Sequence, residues 1–319
     1  MTTTRPAHAL FISAVATLAT LCTAAANADL TLTPDGITRG FALTTFASGF
    51  ASSGNVGPVS IDFQTDGSIL VSSFVGNRIQ RFANTDNQSA ATAPALSYPP
   101  DEFPHGIAHF GSTVFVSRFG TQTIVQLNAD GSINHTVATG LGNARDLLAN
   151  PATGRLLTST TTGIRDVNPV TGSFTTLVTD EADGISLSQD GSIVYGAIIS
   201  GPRSGHLIGY STSTGAPVFD SGFLSGGLDG TALGFGERFG YIYGNMNNGT
   251  VLEINLATLA STIIATGGSR GDFVSADPSG SGDLLLTQSD RIIRLSGIPS
   301  PSAAALLGLG SLLAARRRR

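Results

Sequence analysis

Five short segments set a chemically capable side chain at the start of an apolar run. They are His105-Gly106-Ile107-Ala108, Arg145-Asp146-Leu147-Leu148, Asp183-Gly184-Ile185-Ser186, Asp229-Gly230-Thr231-Ala232 and Gly271-Asp272-Phe273-Val274. If the fold brings these starts together, Asp146, Asp183, Asp229 and Asp272 crowd like charges into one place. Such carboxylates repel unless a cation binds them, and Ca2+ takes six to eight oxygens from groups of this kind. One reading is therefore a shared ligand site at His105, Arg145, Asp146, Asp183, Asp229 and Asp272, with Asp183, Asp229 and Asp272 holding a metal such as Ca2+. The other is turn chemistry, in which an Asp before Gly caps its own backbone and Arg145 neutralises a neighbouring carboxylate. His105 divides the same way, between a general base or ligand and a structural Pro-His-Gly turn. His109 and His135 have no evident partner, and His206 opens a strand as an exposed or satisfied side chain. Gly-x-Ser-x-Gly, His-Glu-x-x-His and phosphate-loop patterns are all missing, so no assembled catalytic set is legible.

What must position these residues is a repeat. Aligning the openings on Ile61, Ile107, Leu147, Ile185, Thr231 and Phe273 gives spacings of 46, 40, 38, 46 and 42 residues, the period of a four-stranded propeller blade. Second strands follow at Ile69 to Ser73, Val114 to Ser117, Leu156 to Ser159, Ile193 to Ala197, Tyr241 to Asn245 and Leu284 to Thr287, and third strands at Arg78 to Phe82, Thr123 to Leu127, Gly163 to Val167, His206 to Tyr210, Thr250 to Ile254 and Arg291 to Leu295. Asp66-Gly67 and Asp190-Gly191 mark the same turn in two units. The last unit lacks a fourth strand, while Phe41 to Ser48 is a spare one at the front. The expectation is an all-β, six-bladed propeller closed by that N-terminal strand, which removes the edges an open array would expose. Seven blades is the alternative, since 94–104 reads as loop. A pair of β-sandwiches is the rival fold, and a β-helix would need a much shorter period. In blade length and opening turns the repeat resembles the NHL, gluconolactonase-like and YncE-like propellers. The lactonase-like resemblance implies a divalent metal near the channel, held by Glu, Asn and Asp.

The two ends differ from the middle. Residues 1–28 read as a secretory signal peptide: Arg5, an apolar stretch Leu10 to Leu21, and Ala26-Asn27-Ala28 for cleavage. A lipoprotein signal at Cys22 and an uncleaved anchor are the alternatives. At the other end, Ile298-Pro299-Ser300-Pro301, the apolar run Ala303 to Ala315 and four terminal arginines resemble the PEP-CTERM sorting tail, with Ser300 where that family has Glu. The resemblance implies an exosortase as processing partner and, before processing, a membrane association through a short transmembrane helix with arginines snorkelling at its end. The expected domains are thus signal peptide 1–28, propeller 29–297 and sorting tail 298–319, with an exported protein at the bacterial envelope surface or outside the cell.

Charge narrows the partners. Of 17 basic residues five lie at the ends, so the middle sets 12 arginines against all 22 acidic residues, about −10. No basic stripe exists, which argues against nucleic acid. The only cysteine, Cys22, lies in the leader, so the domain uses neither disulfides nor thiol chemistry. The expected function is a binding or structural module for envelope polysaccharide or matrix. The alternative is a metal-dependent, lactonase-like hydrolase or lyase working through the channel carboxylates.

Overall fold

Six sheets, five of them built from one stretch of the repeat and the sixth shared between its end and its beginning, stand around a central channel in the computed structural model, which describes residues 29–297 except 100 and 280. The segments expected to be a signal peptide, with Cys22, and a sorting tail lie outside the described residues. From the channel outward, blade 1 runs Pro58–Phe63, Ile69–Ser73, Arg78–Phe82 and Ala95–Ser97, and blade 2 runs Pro104–Phe110, Thr113–Arg118, Thr123–Leu127 and Ile133–Ala138. Blade 3 is Ala144–Asn150, Arg155–Thr160, Gly163–Val167 and Phe174–Val178, and blade 4 is Ala182–Leu187, Ile193–Ile198, His206–Ser211 and Pro217–Phe223. Blade 5 is Leu228–Leu233, Tyr241–Met246, Val251–Asn255 and Ser261–Thr266, with Thr31–Leu32 paired on its outside. Blade 6 takes Val274–Ala276, Leu284–Thr287 and Arg291–Gly297 from the end of the repeat. The only α-helix among the described residues is Pro34–Thr38.

The fourth strand of blade 6 is Phe41–Ser48, paired antiparallel from Phe41 opposite Gly297 to Ser48 opposite Arg291. The ring therefore closes with the N-terminal strand, as the repeat implied. Phe46 is fully buried in that strand, with its ring 5.8 Å from Phe82 of blade 1. The Arg294 guanidinium lies over the other side of Phe46, 5.4 Å from the ring centre, and pairs with Asp86 and Asp283. An added strand, Gln88–Ser89, runs parallel to Ala47 and Ser48 and covers the outer edge.

The structure settles the blade count at six and places a strand inside the expected loop, because 94–104 contains the short outer strand Ala95–Ser97. The opening of blade 6 starts later than the pattern suggests, at Val274, so Asp272 precedes its strand. The Asp-Gly pairs at 66–67 and 190–191 are turns: each Asp accepts the backbone N–H two residues on, from Ser68 and Ser192, and Gly67 and Gly191 have φ of 81° and 73°. Between blades, the cores are walls of Ile, Leu, Val and Phe from facing sheets.

Phe46 carries the closure, so Phe46→Ala is expected to cost about 3–5 kcal/mol. Urea unfolding followed by fluorescence and by circular dichroism checks this. A loss under 1 kcal/mol would show that the closing strand is not held by this contact.

Candidate functional site

The innermost strands meet backbone to backbone around the channel, and glycine makes that possible. In five blades the first strand bulges at its start, with register shifts between Pro58 and Ser60, Pro104 and Ile107, Ala144 and Leu147, Ala182 and Ile185, and Leu228 and Gly230. A Cβ added at Gly106 would lie 2.6 Å from the Arg145 carbonyl oxygen, one at Gly184 would lie 2.6 Å from that of Asp229, and one at Gly230 would lie 2.5 Å from that of Asp272. These distances are inside van der Waals contact, so each glycine is fixed by the next blade's backbone. The Asp-Gly pairs at 183–184 and 229–230 are therefore not turns of the 66–67 kind. Their glycine serves close approach, and their aspartate is free to face the channel.

Hydroxyls at the ends of the second strands lock the same bulges. Ser72 donates to the carbonyl of His105 in the next blade, Ser117 to that of Arg145 at 2.6 Å, and Ser159 to that of Asp183 at 2.5 Å. In blade 5 the Asn245 amide does this work, donating to the Phe273 carbonyl at 2.8 Å. Blade 4 has Ala197 in this place. Each of these polar residues is fully buried, and each holds the backbone of a residue at the channel mouth.

His105, Arg145, Asp183, Asp229 and Asp272 are thus brought together, around a pocket of about 220 Å³ whose walls include Phe74, Phe119 and Phe273. Arg270 lines it too, and the sequence reading missed it. Its guanidinium pairs with Asp229 at 3.2 Å and Asp272 at 2.9 Å, while Arg145 pairs with Glu181 at 2.9 Å and Asp183 at 3.4 Å. Arg145 so neutralises the carboxylates of the next blade rather than its sequence neighbour Asp146. The readable signal for Arg270 was positional: Arg270-Gly271-Asp272 puts an arginine just ahead of the innermost strand of blade 6, close to where Arg145 opens that of blade 3.

Burial governs the charges here. Asp229 is 1% exposed, and desolvation, then the neighbouring Asp183 charge and a hydrogen bond shared with it, hold its carboxyl well above the usual range. Asp272 is pushed up to about 6, mainly by burial, against the pull of Arg270. Burial also drives His105 down to about 4, against the opposing pull of Asp183 and with help from Arg145 and Arg270, so its imidazole is neutral at pH 7. Its Nδ1 is buried without a hydrogen-bond partner among the described residues. The ring sits among Phe273, Phe74 and Phe119 at centroid distances of 5.4, 5.7 and 5.9 Å. Phe103 stacks on Phe74 at 4.7 Å and extends the aromatic rim.

Asp146 is placed elsewhere. Its oxygens accept the backbone N–H groups of Leu147 and Ile185, both at 2.8 Å, tying blade 3 to blade 4, and burial raises it to about 7. It borders the pocket at the opposite end of the channel, where the innermost strands finish. His109 has a partner there after all: Asp62 of blade 1, 2.9 Å from Nδ1. His206 pairs with Asp220 at 2.8 Å, and His135 is exposed on the outer strand of blade 2. Among the described residues no group of three or more His, Cys, Asp or Glu is arranged to hold a metal ion. At the mouth, the counter-charge to Asp183, Asp229 and Asp272 is arginine, and a metal there would have to displace Arg270.

No family model matches the chain, and no curated protein matches its sequence. Solved structures do match its fold. A gluconolactonase from Xanthomonas campestris aligns over 85% of this chain and 96% of its own with a TM-score of 0.64 at 14% identity. A calcium-binding regucalcin from Agrobacterium tumefaciens aligns over 80% and 95% with a TM-score of 0.58 at 17% identity, and a streptogramin B lyase over 81% and 98% with 0.55 at 14%. The chain is a propeller of that general architecture, and at these identities the likeness is one of fold.

The raised Asp146 sets a pH dependence. A carboxyl bound more tightly to its proton in the folded state stabilises the fold below its unfolded value near 3.8, and that contribution is lost as pH rises towards 7. Asp146→Asn removes this loss, so the melting temperature of the variant relative to wild type should rise between pH 4 and pH 7.5. Parallel curves over that range would mean that Asp146 is not buried as described.

Proposed function

We propose that the chain is an exported, surface-held binding module, and that the mouth formed by His105, Arg145, Asp183, Asp229, Arg270 and Asp272 takes a neutral, polyhydroxylated ligand such as an envelope polysaccharide. The address rests on the leader at 1–28 and the tail at 298–319. The observation that carries the binding reading is the aromatic rim of Phe74, Phe103 and Phe119 beside a lattice of paired carboxylates and guanidiniums. Aromatic faces pack on the C–H faces of a sugar ring. The planar charged groups offer donors and acceptors already fixed in place, so little ordering entropy is lost on binding. With the carboxylates neutralised locally but the domain near −10 overall, a polyanion would meet net repulsion.

A second reading, favoured by one observation, is hydrolysis or elimination of the lactonase and lyase kind. A neutral His105 lines the pocket that also holds Asp229, whose carboxyl is held well above the usual range, so a base and an acid share one site. The likeness in fold to solved structures named as a gluconolactonase and a streptogramin B lyase supports this reading.

Titration with soluble fragments of neutral envelope polysaccharide, followed by calorimetry, separates the two. Phe119→Ala and Phe74→Ala should each weaken binding about tenfold, close to 1.4 kcal/mol, with the melting temperature within a few degrees of wild type. Failure of wild type to bind any neutral glycan fragment, together with turnover of sugar lactones that disappears in His105→Gln, would overturn the binding assignment in favour of the enzymatic one.

A further inference from the structure

The opposite end of the channel holds a second, unlike pocket. It has a volume of about 270 Å³ and is bounded by the last residues of all six innermost strands. Its walls are mostly aliphatic and aromatic, among them Phe63, Leu148, Leu187 and Phe235. Only three titratable side chains border it: Asp62 from blade 1, His109 from blade 2 and Asp146 from blade 3, with none from blades 4, 5 and 6. No arginine borders it, in contrast to the two at the other mouth.

Asp62 and His109 form an oriented pair across two blades. The imidazole Nδ1 lies 2.9 and 3.1 Å from the two carboxylate oxygens, and the Gln64 amide donates to the same carboxylate. Nδ1 therefore carries the proton and donates it to Asp62, while Nε2, on the far edge of the ring, makes no hydrogen bond with any described residue. An imidazole polarised from behind by a carboxylate is a strong acceptor at its outer nitrogen. Asp146 has both oxygens committed to backbone amides, and because burial raises it to about 7 it gains its negative charge only as pH rises through that range, without offering a free hydrogen-bonding atom.

From this geometry we infer that the second mouth is a binding site for a small organic ammonium with an apolar body, whose N–H donates to Nε2 of His109 while the body packs on the aliphatic walls. Each link of the chain, carboxylate to imidazole to ammonium, is charge-assisted. A carboxylate ligand would meet Asp62 and Asp146 with no arginine to receive it. The site is independent of the polysaccharide reading, since it shares none of the residues that carry that proposal.

Occupancy and His109 protonation compete. The Asp62 hydrogen bond raises His109 above its usual value, which extends to higher pH the imidazolium form that repels an ammonium. As pH rises through that value the ring becomes the acceptor the ligand needs. Alkyl ammoniums stay charged until about pH 10, so affinity should climb between pH 6 and pH 8.

A matched series tests this on the folded domain: cyclohexylamine, cyclohexanol and cyclohexanecarboxylate, followed by calorimetry and by the 15N signals of His109 in histidine-labelled protein. The ammonium should bind at least tenfold more tightly than the other two, more tightly at pH 8 than at pH 6, and should shift His109 Nε2. His109→Gln and Asp62→Asn should each weaken it at least tenfold, and Leu187→Phe, which fills the pocket and leaves the pair intact, should do the same. Equal binding of all three probes, no shift of His109 at millimolar cyclohexylamine, or full affinity in the Leu187→Phe variant would each overturn the assignment.

Discussion

The hydrogen bond from a buried second-strand side chain to the carbonyl of the next blade's bulge is the constraint on which the rest of this structure depends. Ser72, Ser117, Ser159 and Asn245 each donate across a blade boundary, and each crosses to a residue at the channel mouth or beside it. A buried hydroxyl without a partner would cost about 1–3 kcal/mol, so blade packing and mouth geometry are satisfied together or not at all. Gly106, Gly184 and Gly230 set the complementary limit, bringing the neighbouring backbone within reach of those bonds.

That lock explains how a site made of charges survives inside an apolar fold. Five ionisable groups sit where water is scarce, which is costly unless they are paired and held. The bulges present Arg145 and Asp183 from adjacent blades at contact distance, and Arg270 reaches back to Asp229 while pairing with Asp272 in its own blade. The remaining excess of negative charge is eased by the raised affinity of the Asp229 carboxyl for a proton. His105 escapes the lattice because three phenylalanines, not ions, surround it.

Much of the architecture was legible in the sequence, because it depends on local patterns that repeat. Period, turn dipeptides and the spare strand at Phe41 sufficed for blade order and closure, since a closed ring leaves few topologies open. The outer strand Ala95–Ser97 was hidden because it is only three residues long and flanked by prolines that read as loop. At the site, convergence of the opening residues followed from the repeat, but two physical facts did not. Arg270 lies one step before the aligned opening, and pairing across blades cannot be seen from spacing along one chain. Asp146 was grouped with the mouth as part of the Arg145-Asp146 opening, yet it falls one residue after Arg145, at the place that Gly106 and Gly184 hold in the same bulges of blades 2 and 4, and there its carboxyl accepts the backbone amides of Leu147 and Ile185. His109 likewise finds Asp62 47 residues away, across a blade boundary.

The closing strand has a mechanical meaning as well. Whatever follows Gly297 is joined to the third strand of blade 6, which has a neighbour on each side, Leu284–Thr287 within and Phe41–Ser48 without. Tension on the chain beyond that point cannot peel away an outer strand one bond at a time. It must work against two ladders at once, one of them made with the opposite end of the domain, so a load applied there is shared by the first and last strands of the ring.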